Sequence, residues 1–470
     1  MKKISLVIAV VILLTALPLL FSSCVHSHTL SEPVRENEIK PTCTAKGRYE
    51  EVVYCTTCDK AVRRRSKSVD KLPHNFVGDT CSVCGYKKTD CSEGLVLSLN
   101  SGGESYTLTG IGSCTDTEIF IGYYQDLPVT KIGYGALELC ANIKKINVAD
   151  TVTEIESYAF RGCSSLESIN LPEGLSVINY AVFKDCSSLT SIEFPESVYD
   201  IAGSAFEFCT SLENVTLPSG LYKLGERAFA FCTSFTDITV PASLAEIGSY
   251  AFAHCENLSG VNIEEGVATV GDFAFQECTA IQTIELPYSI SSIDNSAFLN
   301  CVNLKTVTMY DNVQTLGPSA FYGCTSLTDI TLSRGLTNIH TSAFAMCESL
   351  ESITLPSSLI TLGNDLFNGC TSLESIELPD KITTIGTSTF KDCTSLESVS
   401  FGSGLKFLGS NTFSGCDSLT SVVFADASGW WYTEDPTKTE GTALPAGVFS
   451  TPAITAVYLG TNYLNYYLKK

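Results

Sequence analysis

Between residues 140 and 416 the chain repeats one order of apolar and polar positions every 23 residues. In the unit that starts at Cys163, Ile169 and Leu171 alternate with Ser168 and Asn170. This is the period of a short strand with one buried face. Leu166 enters the core just before that strand, and Pro172, which has no N–H to give to a ladder, ends it. Proline recurs at this place as Pro195, Pro218, Pro241, Pro287, Pro356 and Pro379. Leu175 and Ile178 then point inward at a spacing of three. A glycine often follows (Gly225, Gly248, Gly271, Gly317, Gly363, Gly386, Gly409), which predicts a tight bend of unusual φ/ψ. The closing Ala-x-Phe-x-x-Cys is too short for a regular helix and predicts a turn or a single helical turn on the outer side.

Thirteen cysteines from Cys140 to Cys416 stand 23 residues apart, and 12 of the 24 phenylalanines lie three residues before one of them. A fixed period of this length predicts a solenoid in which each coil buries its apolar face only against its neighbours. Strands stacked at ~4.8 Å would carry twelve steps over roughly 58 Å. The unit Leu-x-x-Ile-x-Leu-Pro-x-x-Leu-x-x-Ile-Gly-x-x-Ala-Phe-x-x-Cys resembles the BspA-like leucine-rich repeats of bacterial surface proteins over about residues 105–470. The expected fold is therefore an α/β to mainly β, right-handed leucine-rich-repeat solenoid with one parallel sheet. The resemblance implies a non-enzymatic surface protein that binds other proteins.

The period fades at both ends, where end coils need protection from strand-edge association. Residues 91–139 carry a degenerate unit with Ile119, Ile121, Val129 and Ile132, expected to form an N-terminal cap before repeats over 140–424. Residues 425–470 hold Trp430, Trp431, Tyr458, Tyr463, Tyr466 and Tyr467, which suit a C-terminal cap or an aromatic ligand platform.

Lys2 and Lys3, the apolar run 4–20 and the small residues before Cys24 form a secretory signal over residues 1–23. The exit resembles a bacterial lipobox, which implies that Cys24 is acylated, with 24–42 as a polar tether to a cell-envelope anchor. In residues 43–90, Cys55-Thr-Thr-Cys58 and Cys81-Ser-Val-Cys84 are two knuckles with spacing suited to a structural Zn2+ in a small zinc-ribbon-like module. His74 is an alternative ligand, and disulfides are the competing reading in an oxidising compartment. The thirteen repeat cysteines are too uniform to pair off, and they predict a buried column of thiols.

Charge sharpens the functional reading. Residues 1–90 hold 14 Lys+Arg and 9 Asp+Glu, a balance of +5, whereas residues 91–470 hold 15 and 42, a balance of -27. So acidic a body repels phosphate backbones, which excludes nucleic acid as its partner. There is no nucleophile elbow, phosphate loop or zinc-protease motif, and the expectation is that the protein is not an enzyme. Its candidate binding strip is the outward column Asn170, Glu193, Thr216, Thr239, Asn262, Glu285, Thr308, Thr331, Thr354 and Glu377, flanked by a second polar column two residues earlier. The favoured partners are host, matrix or cell-surface proteins. A polysaccharide used for nutrient capture, or a spacer role without a ligand, are the alternatives.

Overall fold

The computed structural model describes residues 31–41, 47–56, 61–69, 76–77, 80–81, 90–445 and 447–470. The signal segment, Cys24, Cys58, His74 and Cys84 lie outside the described residues. The chain forms two compact units, residues 1–87 and 88–470.

In the first unit Val34–Ile39, Gly47–Tyr54 and Ala61–Val69 form an antiparallel three-stranded sheet in chain order. A short hairpin pairs Phe76–Val77 with Thr80–Cys81. The first strand corrects the reading of 24–42 as tether throughout. Four of its six side chains are polar, so it carries no apolar alternation; backbone pairing with Gly47–Tyr54 holds it, reinforced by charge pairs. Arg64 bridges Glu36 and Glu50 at 3.0 Å each, and the Tyr54 hydroxyl donates to Glu36.

The second unit is a parallel solenoid of about 14 turns with three hydrogen-bonded sides. The first side stacks the expected strands, such as Asp237–Val240 on Gly260–Ile263 and Ser375–Leu378 on Ser398–Phe401. The second side is a ladder of two-residue strands, the leucine, isoleucine or valine of each facing inward. It includes Glu246–Ile247, Thr269–Val270, Ser292–Ile293 and Thr315–Leu316, in register at the repeat length. The expected parallel sheet is thus present, and a second parallel ladder runs beside it.

The third side is the Ala-x-Phe-x-x-Cys segment. Its alternate N–H groups, Tyr158, Phe160 and Gly162, donate to the carbonyls of Tyr180, Val182 and Lys184 in the next coil. The intervening N–H groups of Ala159, Arg161 and Cys163 close turns within the coil. This alternation needs left-handed backbone at two places per coil, and non-glycine residues adopt it, among them Tyr158 (φ 62), Arg227 (φ 57), Tyr250 (φ 57) and Phe273 (φ 56). Each such residue costs ~1–2 kcal/mol, which the intercoil bond helps offset. The repeated glycine follows different physics from the one expected. Gly248 and Gly271 do not have positive φ; a Cβ there would meet the backbone of the preceding coil, at 2.3 Å from the Leu224 oxygen and 2.5 Å from the Ile247 oxygen.

Two columns run down the core. The Phe160 to Phe413 rings stack on one another, with centroids 5.1 to 5.9 Å apart. Beside them, each thiol from Cys163 to Cys416 donates to a carbonyl 26 residues earlier, as Cys278 Sγ does to Phe252 O at 3.1 Å. The repeat cysteines are free thiols. Burial pushes their pKa up, to about 12 for Cys163, Cys255, Cys301 and Cys370. They are therefore neutral, unreactive donors at physiological pH.

Both ends of the second ladder are covered by antiparallel strands. At the start, Val96–Leu99 pairs with Tyr106–Gly110, which lies beside Leu127–Ile132. At the finish, Tyr467–Lys469 pairs with Phe407–Leu408 and with Trp431–Thr433. Trp430 is buried and meets Phe424 edge-on at 5.3 Å, while Tyr432 packs with Tyr463 and Tyr466. Much of the aromatic tail thus packs on itself and on the last coil.

Candidate binding surface

Strand alternation positions the strip. In Asp237–Val240, Ile238 and Val240 are buried, so Asp237 and Thr239 stand exposed on the opposite side. The same geometry exposes Asn170, Glu193, Thr216, Asn262, Glu285, Thr331, Thr354 and Glu377, while Thr308 is half-buried. The ladder aligns them in one column: Thr239 faces Asn262, and Glu285 faces Thr308 and then, one coil on, Thr331.

Members of this column differ in what they have left to offer. Asn170 is committed to the fold, because its amide donates to Val148 O at 2.7 Å and its Oδ1 accepts from Val148 N at 2.8 Å. Glu285 accepts from the Tyr310 hydroxyl at 2.8 Å, a bond that raises the Tyr310 pKa.

The face is grooved. A concavity of about 730 Å³ lies over Asn214, Thr216, Asp237, Thr239, Gly260 and Asn262. Gly260 opens it: a Cβ there would collide with the Asp237 carboxylate. Next along, a concavity of about 530 Å³ is lined by Asn262, Glu264, Glu265, Thr283, Glu285 and Tyr310. Nearer the start of the solenoid, one of about 380 Å³ includes Lys145, Asn147, Asn170 and Glu193. Carboxylates outnumber cations along this run, so it favours a partner with basic side chains.

Tyr310 and Tyr288, stacked at 5.1 Å, belong to this face although the two polar columns contain neither. Tyr310 occupies the place that proline takes in most coils, and Tyr288 follows Pro287. Extending the column comparison past the strand-ending proline would have found them.

Of the proposed zinc ligands, Cys55 is buried and the backbone of Cys81 pairs with Phe76. The others lie outside the described residues, among which no group of three or more metal-binding side chains gathers.

Residues 130–259, 200–328, 245–370 and 314–428 match the family profile of the BspA type leucine rich repeat region. None of the curated proteins matches. Among solved structures, a leucine-rich repeat protein from Bacteroides ovatus is 27% identical, with a TM-score of 0.59 over 70% of this chain and 93% of that one. A leucine rich cell surface protein from Faecalibacterium prausnitzii is 24% identical, with a TM-score of 0.42 over 72% and 94%. The pneumococcal vaccine antigen PcpA is 18% identical, with a TM-score of 0.41 over 76% and 92%.

Proposed function

The chain belongs to the BspA-type leucine-rich repeat family, and on that premise we propose that it is a non-enzymatic bacterial surface lipoprotein that binds extracellular proteins through the first-strand face. Cys24 is its anchor in this reading, since small residues precede it at the end of the signal segment. The observation that carries the proposal is the exposed column from Glu193 to Glu377, with its grooves and its excess of carboxylates. A rigid parallel ladder holds these side chains in one row, so little order has to be acquired on binding. The preferred partner is a protein that presents an extended segment bearing Lys and Arg.

The test is binding of the full-length protein to immobilised matrix and cell-surface proteins, compared with a Glu264→Lys, Glu285→Lys variant. Both residues are exposed, so the variant should fold. Binding should weaken on raising salt from about 50 to 500 mM, because exposed charge pairs are screened. The variant should lose at least about tenfold in affinity, since reversing two contacting charges replaces attraction by repulsion. Binding that ignores both salt and the variant would contradict this choice of face.

A further inference from the structure

The second ladder has an outer face of its own, and exposed tyrosines gather along its first coils. Tyr134, Tyr158 and Tyr180 form a run of rings with centroids 5.3 and 5.5 Å apart, inclined by 62° and 69°. The Arg161 guanidinium lies over the Tyr158 ring at 5.6 Å, whereas Tyr134 and Tyr180 are exposed. Tyr199 and Tyr222 occupy the residue just before Asp200–Ile201 and Lys223–Leu224 on successive coils. Tyr134 and Tyr222 are 68% and 70% exposed, far above what a packing role requires. In later coils the place of Tyr199 and Tyr222 is taken by Ala245, Ala268, Ser291 and Gln314.

Small residues lie between the rings. Ala202, Gly203 and Gly225 follow the two strands, and the Tyr180 ring lies over Gly203, where a Cβ would stand 3.4 Å from its Cδ2 and Cε2. The lysines nearby are already paired. Lys131 pairs with Glu154 and Glu156 at 3.1 and 2.6 Å, and Lys223 with Asp200 at 3.3 Å.

We propose that this face is a binding site for an uncharged polysaccharide. The exposed aromatic side chains of the cluster are all tyrosines, which offer flat apolar rings together with hydroxyls. A sugar chain supplies the complement, C–H faces for the rings and hydroxyls for the tyrosine O–H groups. Lys131 and Lys223 face three carboxylates, Glu154, Glu156 and Asp200, and the solenoid domain carries -27, so an anionic glycan is repelled, and a cationic peptide would have to compete with lysines that already hold these carboxylates. This site is separate from the first-strand face and does not depend on the function proposed for it.

The test is native affinity electrophoresis of the full-length protein in gels containing a galactomannan, a mixed-linkage β-glucan, a xylan or dextran, with pectate as the anionic control. At least one neutral polysaccharide should retard the protein and pectate should not. Tyr199→Ala and Tyr222→Ala should each weaken retardation by about tenfold, the scale of one lost aromatic contact. Tyr222→Phe should retain most of it, and the Glu264→Lys, Glu285→Lys variant should behave as wild type. Migration unaffected by all four neutral polysaccharides would overturn the proposal. So would retardation that survives both alanine substitutions, or alanine variants that lose binding to an immobilised protein instead.

Discussion

Raised from pH 8 to pH 10 in the presence of a reductant, the solenoid unfolds. Burial is the first cause of the raised thiol pKa values, which reach about 12 at Cys163, Cys255, Cys301, Cys370 and Cys416. In the unfolded chain the same thiols ionise near pH ~8.5. The folded state therefore holds protons that the unfolded state releases. The stability tied to them is intact below about pH 8 and falls as pH climbs from the unfolded value towards the folded one. At pH 10 each thiol costs roughly 2 kcal/mol. Five coils that unfold together lose about 10 kcal/mol, comparable to the ~5–15 kcal/mol that stabilises a whole domain. Far-UV circular dichroism after equilibration at each pH should show a steep loss of β structure between about pH 9 and 10. A native signal retained at pH 10.5 would show that the thiols are not buried donors.

The second large effect is expected from Phe275→Ala. Phe275 is fully buried, and its ring stacks at 5.5 Å on Phe252 and 5.4 Å on Phe298. Truncation removes contacts on both sides and leaves a cavity that the flanking coils cannot fill, because intercoil backbone bonds fix their spacing. The expected cost is about 3–5 kcal/mol. In a stack stabilised by nearest-neighbour terms, that loss falls on the two interfaces of one coil. Urea unfolding should then separate into two transitions, with new protease cleavage near residue 275. Phe413→Ala, at the end of the column with Phe390 as its one neighbour of the stack at 5.9 Å, should cost less and leave a single transition. A central substitution costing under about 1 kcal/mol would mean that the phenylalanine column does not hold the coils together.

Much of this architecture is legible in the sequence because one coil is copied many times. The alternation around Ile169 and Leu171 gives the first ladder, and the fixed places of phenylalanine and cysteine give the two core columns. The second ladder was hidden because a two-residue strand such as Val177–Ile178 is too short to show a period of two. The left-handed positions were hidden for another reason. Tyr158, Arg227 and Tyr250 are poor choices for positive φ when judged alone, and only the bonds between coils explain them. Gly248 looked like a conformational device, whereas it is needed for the close approach of the preceding backbone. Val34–Ile39 has no apolar alternation and takes its place by backbone pairing with Gly47–Tyr54, with Arg64 and Tyr54 adding contacts to Glu36.

The candidate surfaces divide in the same way. Exposure of Thr216, Thr239 and Glu285 follows from alternation along a strand whose other face is buried. Tyr310 and Tyr288 join that face from beyond the strand, at positions outside the two polar columns. The tyrosines at 134, 158, 180, 199 and 222 occupy three different places in the repeat. Stacking of the coils brings Tyr134, Tyr158 and Tyr180 into ring contact and sets Tyr199 and Tyr222 on successive coils of the second ladder.

The solenoid core depends on a column of reduced, buried thiols from Cys140 to Cys416. Alkylation in denaturant without reductant, followed by peptide mass analysis, should place one alkyl group on each of these thirteen cysteines, and the same reagent applied to native protein at pH 7.5 should label none from Cys163 to Cys393. Disulfides linking cysteines of adjacent coils, or ready labelling of the native column, would contradict it.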